Sequence, residues 1–69
     1  MSVARVTEIK SSSPKSFEDA VEKGVSRSNK TLKNVRGAWV KEMEVECGKN
    51  GKITEYRVLL KVTFVLNDD

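Results

Sequence analysis

Few side chains in this sequence are equipped for catalysis. The single cysteine, Cys47, has no histidine to activate it, because the chain contains none. The same absence removes any Ser-His-Asp arrangement, and one cysteine without histidine cannot build a structural zinc site. No phosphate-cradling loop is present, since Gly48 and Gly51 bracket a turn and do not precede a helix. What remains is a row of carboxylates and two side chains suited to flat or anionic groups. Glu42, Glu44 and Glu46 recur at period two, which places them on one face of a strand. Such a row can bind a hard cation such as calcium or serve in acid-base work, and it is also what a plain solvent-facing strand looks like. Glu8 and the terminal Asp68 and Asp69 add further acids. Trp39 can stack an aromatic ligand in a pocket shared by subunits, or anchor a hydrophobic interface. Arg57 can fork to a carboxylate or phosphate, stack on a ring, or pair with one of the glutamates across a subunit boundary. These residues describe a binding protein, not an enzyme.

Three strands and a helix are needed to position them. Val3 to Lys10 mixes β-branched and charged residues and runs into Ser11-Ser12-Ser13-Pro14, which predicts a strand ending in a polar turn. Ser13 suits a helix N-cap with Pro14 at the first helical position, and Ser16 followed by Asp19 offers a second start one turn later. Phe17, Ala20, Val21, Gly24, Val25, Ser28 and Leu32 then recur at spacings of three and four, the stripe of an amphipathic helix. Its small residues allow close approach to a sheet.

Val35 to Cys47 and Lys52 to Leu66 predict two long strands. The Asn50-Gly51 between them suits a type I′ hairpin turn, which needs positive φ twice. In the last strand Tyr56, Val58, Leu60, Val62, Phe64 and Leu66 share one face, which must lie on the helix. In the middle strand Ala38 and Val40 share parity with the three glutamates, whereas Gly37, Trp39, Met43, Val45 and Cys47 hold the other. The second sheet face would then carry Trp39, Met43 and Leu59. Either a bulge shifts the register midway or that face is covered by other subunits.

The expected fold class is α+β, a β-α-β-β protomer whose antiparallel sheet is covered by one helix, with residues 1–69 as one domain. A chain of 69 residues buries a small core. With a disulfide and zinc excluded, oligomerisation is the remaining source of stability. The Met1-Ser2-Val3-Ala4-Arg5 start shows no secretory signal and no run approaches a membrane span, so a reducing cytoplasm is the expected compartment. The formal charge of +3 arises from interspersed acids and bases, the mark of a solvated surface and not of a nucleic-acid or membrane partner.

Several stretches resemble the dodecin family. They are Ser12-Ser13-Pro14-Lys15-Ser16-Phe17 leading into the helix, Thr31-Leu32-Lys33-Asn34-Val35 leaving it, and Glu55-Tyr56-Arg57-Val58 through Val62-Thr63-Phe64-Val65-Leu66. The resemblance spans essentially the whole chain. It implies a three-stranded antiparallel sheet wrapping one helix, and a hollow homododecamer whose partner is the chain itself. It also implies a non-catalytic store for a small-molecule ligand, by family default the flavins riboflavin and FMN, stacked between symmetry-related tryptophans. In flavin-binding members the stacking tryptophan aligns with Gly37, and the glutamine that hydrogen-bonds the flavin ring aligns with Arg57. Trp39 lies two residues on, about 7 Å further along the strand. Glu44 stands where many members have a basic residue and would repel a nucleotide phosphate, and Ser11-Ser12-Ser13 replaces Gly-Thr-Ser. With both principal flavin contacts changed, the pattern is similar to a divergent branch that includes a calcium-binding member. Two ligand expectations follow: flavin in an altered pocket at Gly37, Trp39 and Arg57, or calcium (or no ligand at all) in a shell carrying Glu42, Glu44 and Glu46.

Overall fold

The computed structural model describes residues 3–66, so Met1, Ser2, Asn67, Asp68 and Asp69 lie outside the described residues. The chain runs β1 (Ala4–Ser13), α1 (Phe17–Leu32), β2 (Val35–Cys47) and β3 (Ile53–Val65). The three strands form one antiparallel sheet in the order β1-β3-β2, with β3 central. No helix among the described residues is long and apolar enough to cross a membrane.

The first strand is longer than the sequence predicts. The serines do not turn but continue the ladder, with Ser11, Ser12 and Ser13 opposite Val58, Arg57 and Tyr56. Their hydroxyls make this possible, because each inward-facing one finds a partner: Ser11 Oγ donates to the Ala20 carbonyl at 2.7 Å and Ser13 Oγ to Asp19 Oδ2 at 2.6 Å. Ser13 is therefore a buried strand residue and not the helix cap. The cap is Ser16, whose Oγ accepts from the Asp19 N–H at 3.0 Å, so the helix takes the later of its two candidate starts.

The expected stripe of α1 is the packed one. Ala20, Gly24 and Ser28 are buried, while Phe17, Val21, Val25 and Leu32 flank them in part. A Cβ on Gly24 would come within 2.9 Å of both Leu60 Cδ1 and Ser11 Cβ, so the absence of a side chain there sets the helix-to-sheet distance. Under the helix lie Val58, Leu60 and Val62, each at most 1% exposed. Phe17 and Tyr56 close the end of this core with ring centroids 5.2 Å apart, edge to face.

The hairpin also departs from expectation. Positive φ occurs at Gly51 (75°) but at neither Lys49 nor Asn50, and Gly51 N–H donates to the Gly48 carbonyl at 3.1 Å while Gly48 N–H donates to that of Lys52 at 2.8 Å. This is a three-residue loop ending in a left-handed glycine, not the two-residue type I′ turn.

A bulge settles the phase of β2. Val40 pairs with Leu60 and Glu42 with Leu59, which leaves Lys41 unmatched and exchanges the faces from there on. Met43 accordingly faces the helix side, opposite Val58, and not the Trp39 side as parity suggests.

Among the described residues only Ala20, Val58, Leu60 and Val62 form a fully buried apolar core. Against it stand eight large apolar residues at least 38% exposed, among them Trp39, Val40, Met43 and Val45. Apolar exposure on that scale marks a surface suited to interaction.

Candidate functional site

Because cross-strand partners share a face, the register defines the sheet surface turned away from α1 row by row. Val6, Thr63 and Gly37 form one row; Glu8, Lys61 and Trp39 the next; then Lys10, Leu59 and Glu42; then Ser12, Arg57 and Glu44. Beyond them Glu46 stands opposite Glu55. The bulge at Lys41 is responsible for this arrangement. Without it, Trp39 and the glutamates would point to opposite sides. All six candidate residues (Gly37, Trp39, Glu42, Glu44, Glu46 and Arg57) thus occupy one surface.

They do not occupy one pocket. Trp39, 62% exposed, borders a shallow recess of about 330 Å³ with Arg36, Gly37, Ala38 and Thr63. A Cβ at Gly37 would meet nothing within 4 Å, so this recess is open above the strand. Arg57 lies four residues along β3 from Lys61, the partner of Trp39, a separation of about 13 Å. It lines a different recess of about 280 Å³ with Lys10, Glu42, Glu44 and Leu59. Within one chain, then, the stacking surface and the guanidinium are separate features.

Arg57 is already engaged. Its Nη1 lies 3.3 Å from Glu44 Oε1 and its Nη2 3.2 Å from Glu46 Oε1. The bond to Glu44, with the charge of both carboxylates, raises its pKa above the already high value of a free guanidinium. The ion pair expected between subunits is therefore formed inside one chain. A second network lies on the far side of the Leu59 row. Lys41, the bulge residue, reaches Glu8 Oε2 at 3.2 Å, and Lys61 approaches the same oxygen at 4.0 Å.

Among the described residues no three acidic or cysteine side chains converge closely enough to hold a metal ion. Glu44 and Glu46 are drawn to Arg57, and Glu42 faces Leu59. Still, four carboxylates (Glu42, Glu44, Glu46 and Glu55) share this end of the face with a single bonded guanidinium. Glu46 directly opposite Glu55 is a like-charge pair, unfavourable on its own. Glu55 escaped the sequence reading, although it shares strand parity with Arg57, which was the available signal. Glu8, Lys41 and Lys61 could be joined only once the register was known. Cys47 is exposed at the base of the hairpin, with no activating partner.

A family model described as Dodecin matches residues 3–67. The calcium dodecin of Mycobacterium tuberculosis is 39% identical over 64 residues, which is 93% of this chain and 89% of that protein. Its crystal structure, described as calcium chelating with a novel calcium-binding site, superimposes with a TM-score of 0.81 at 33% identity, covering 97% of this chain and 94% of the other. The dodecin from Streptomyces davaonensis superimposes with a TM-score of 0.90 at 31% identity over 97% of both chains. Element order, sheet topology and chain length thus agree with these proteins from end to end, and the chain belongs to the dodecin family.

Proposed function

We propose that this protein is a non-catalytic, homododecameric shell that buffers calcium through carboxylates on the sheet face turned away from α1, with residues 1–69 as its one domain. The observation that carries this reading is the content of that face. Four glutamates cluster at one end, while the two positions that hold flavin elsewhere in the family are occupied by Gly37, with no stacking surface, and Arg57, bound to Glu44 and Glu46. The likeness to a calcium dodecin supports it. Since no cation set is complete among the described residues of one chain, neighbouring copies supply the remaining oxygens; calcium prefers six to eight. The exposed apolar residues and small core support assembly. The exposed thiol of Cys47 fits a reducing cytoplasm.

The test is calcium titration of the assembled protein by calorimetry, paired with thermal melting. Binding and a rise in melting temperature that chelator reverses are expected, both weakened by Glu42→Gln or Glu44→Gln. Absence of heat and of any melting shift at millimolar calcium would sink the reading.

A second reading rests on Trp39. Its exposed ring beside the open space at Gly37, with Arg36 alongside, is a platform for riboflavin or FMN. Riboflavin fluorescence decides it, since stacking on tryptophan quenches the flavin. If Trp39→Ala leaves the assembly intact but abolishes quenching, Trp39 is a ligand platform; if the assembly dissociates, it is an interface anchor.

A further inference from the structure

We propose that the two flanks of α1 are the two halves of one head-to-tail contact between copies of this chain. The inference rests on the self-assembly reading and assigns surfaces to it. On the β1 flank runs a groove of about 590 Å³ with Ile9, Gly24 and Leu32 in its lining and Lys23 and Arg27 at its edge. On the β2 flank, Phe17, Val21 and Met43 line a shallow apolar surface edged by Glu18 and Glu22. Met43 faces the helix side of the sheet yet is 56% exposed, because β2 extends past the cover that α1 provides. One flank is a recess with a basic edge; the other carries a projecting thioether with an acidic edge.

Of these charges only Lys23 is paired within the chain, among the described residues. Lys23 is paired with Asp19 at 3.1 Å, but Arg27 donates to the Thr31 hydroxyl at 2.6 Å. Among the described residues no carboxylate lies in ion-pair reach of Arg27, and no cation in reach of Glu18 or Glu22. The helix itself separates the two sets, so they cannot meet inside one protomer. They meet when the β2 flank of one copy seats against the β1 flank of the next, with the unbranched Met43 entering the groove. A like-with-like contact would oppose acid to acid or base to base, so the occupant of each flank is the opposite flank of another copy. A contact of this heterologous kind forms a ring where its rotation closes, which a finite shell requires.

Charge reversal on the full-length protein tests this, read by sedimentation or native mass measurement across protein concentration. Glu22→Lys and Arg27→Glu should each raise the dissociation midpoint by roughly tenfold, and the double variant should return it to within about threefold of wild type. Singles that assemble like wild type, or a double variant no better than either single, would overturn the contact. Helical circular dichroism is recorded for every variant, and Glu22→Gln and Arg27→Gln, which keep shape and remove charge, should shift the midpoint in the same direction by less. Should a reversal variant not fold, those neutral variants decide, and midpoints equal to wild type overturn the contact. A monomeric wild type would overturn the shell reading as well, whereas an assembled wild type indifferent to all these changes overturns this contact alone.

Discussion

Glu44 and Arg57 stand directly opposite each other in the β2–β3 register, and the guanidinium that bonds Glu44 at 3.3 Å also takes Glu46 two residues along at 3.2 Å. One arginine thus occupies two carboxylates of the row that would otherwise be open to a cation. The fork also fixes Arg57 over β2, where its side chain is 33% exposed. Whatever binds this end of the sheet competes with that fork.

Arg57→Gln should therefore strengthen calcium binding. It frees Glu44 and Glu46 and removes a positive charge from the recess they share with Lys10. Because the pair is solvent-accessible, the gain should be modest, about two- to fivefold in affinity. Calorimetric titration of the variant beside wild type checks it, and an unchanged or weakened affinity would count against these carboxylates as ligands.

Placing a tryptophan at position 37 should create a flavin site. The position is open, with nothing within 4 Å of a built Cβ, so a side chain can leave the strand there without a clash at its first atom. Combined with Arg57→Gln, it restores both side-chain types of the flavin-binding members. The expected result is riboflavin quenching by the double variant well beyond that of wild type. A double variant that assembles and still fails to quench would show that the altered face excludes flavin for another reason.

Gly24→Ala should destabilise the protein despite alanine being the better helix former by about 1 kcal/mol. The new methyl would sit 2.9 Å from Leu60 Cδ1 and from Ser11 Cβ, neither on a flexible surface chain. Overpacking of this kind costs about 1–3 kcal/mol, enough to outweigh the propensity gain. Thermal melting at fixed protein concentration reads it directly, and a raised melting temperature would contradict the packing described for this helix.

The Ser13–Asp19 contact predicts a pH signature. The Ser13 hydroxyl, then Lys23, hold the Asp19 carboxyl below its ordinary 3.8. A depressed carboxyl contributes stability above its ordinary value and loses it as pH falls through the depressed one. Ser13→Ala should therefore be less stable than wild type at neutral pH, with the gap narrowing once the pH drops below about 4. Denaturant midpoints of both proteins across that range supply the test. A gap that stays constant would assign Ser13 a packing role alone.

Much of this protein was decided by local sequence. The helix stripe from Phe17 to Leu32 fixes both the helix and its buried face, since only the 3.6-residue period brings Ala20, Gly24 and Ser28 together. The even residues of β3 fix its inner face in the same way, and the absence of histidine and of a second cysteine excludes whole classes of chemistry before any folding is considered. Tertiary structure decided what periodicity cannot. The Lys41 bulge is invisible in a period of two, because a strand that slips one residue reads as two shorter alternations; only pairing to β3 locates the slip. That slip puts Trp39 on the same face as Glu42, Glu44 and Glu46, turns Met43 toward the helix, and lets Arg57 reach two glutamates. Ser13 likewise read as a cap until its hydroxyl found Asp19 and the strand ran on through it. Elements follow from neighbours along the chain, whereas the composition of a face follows from register, which is a property of two strands together.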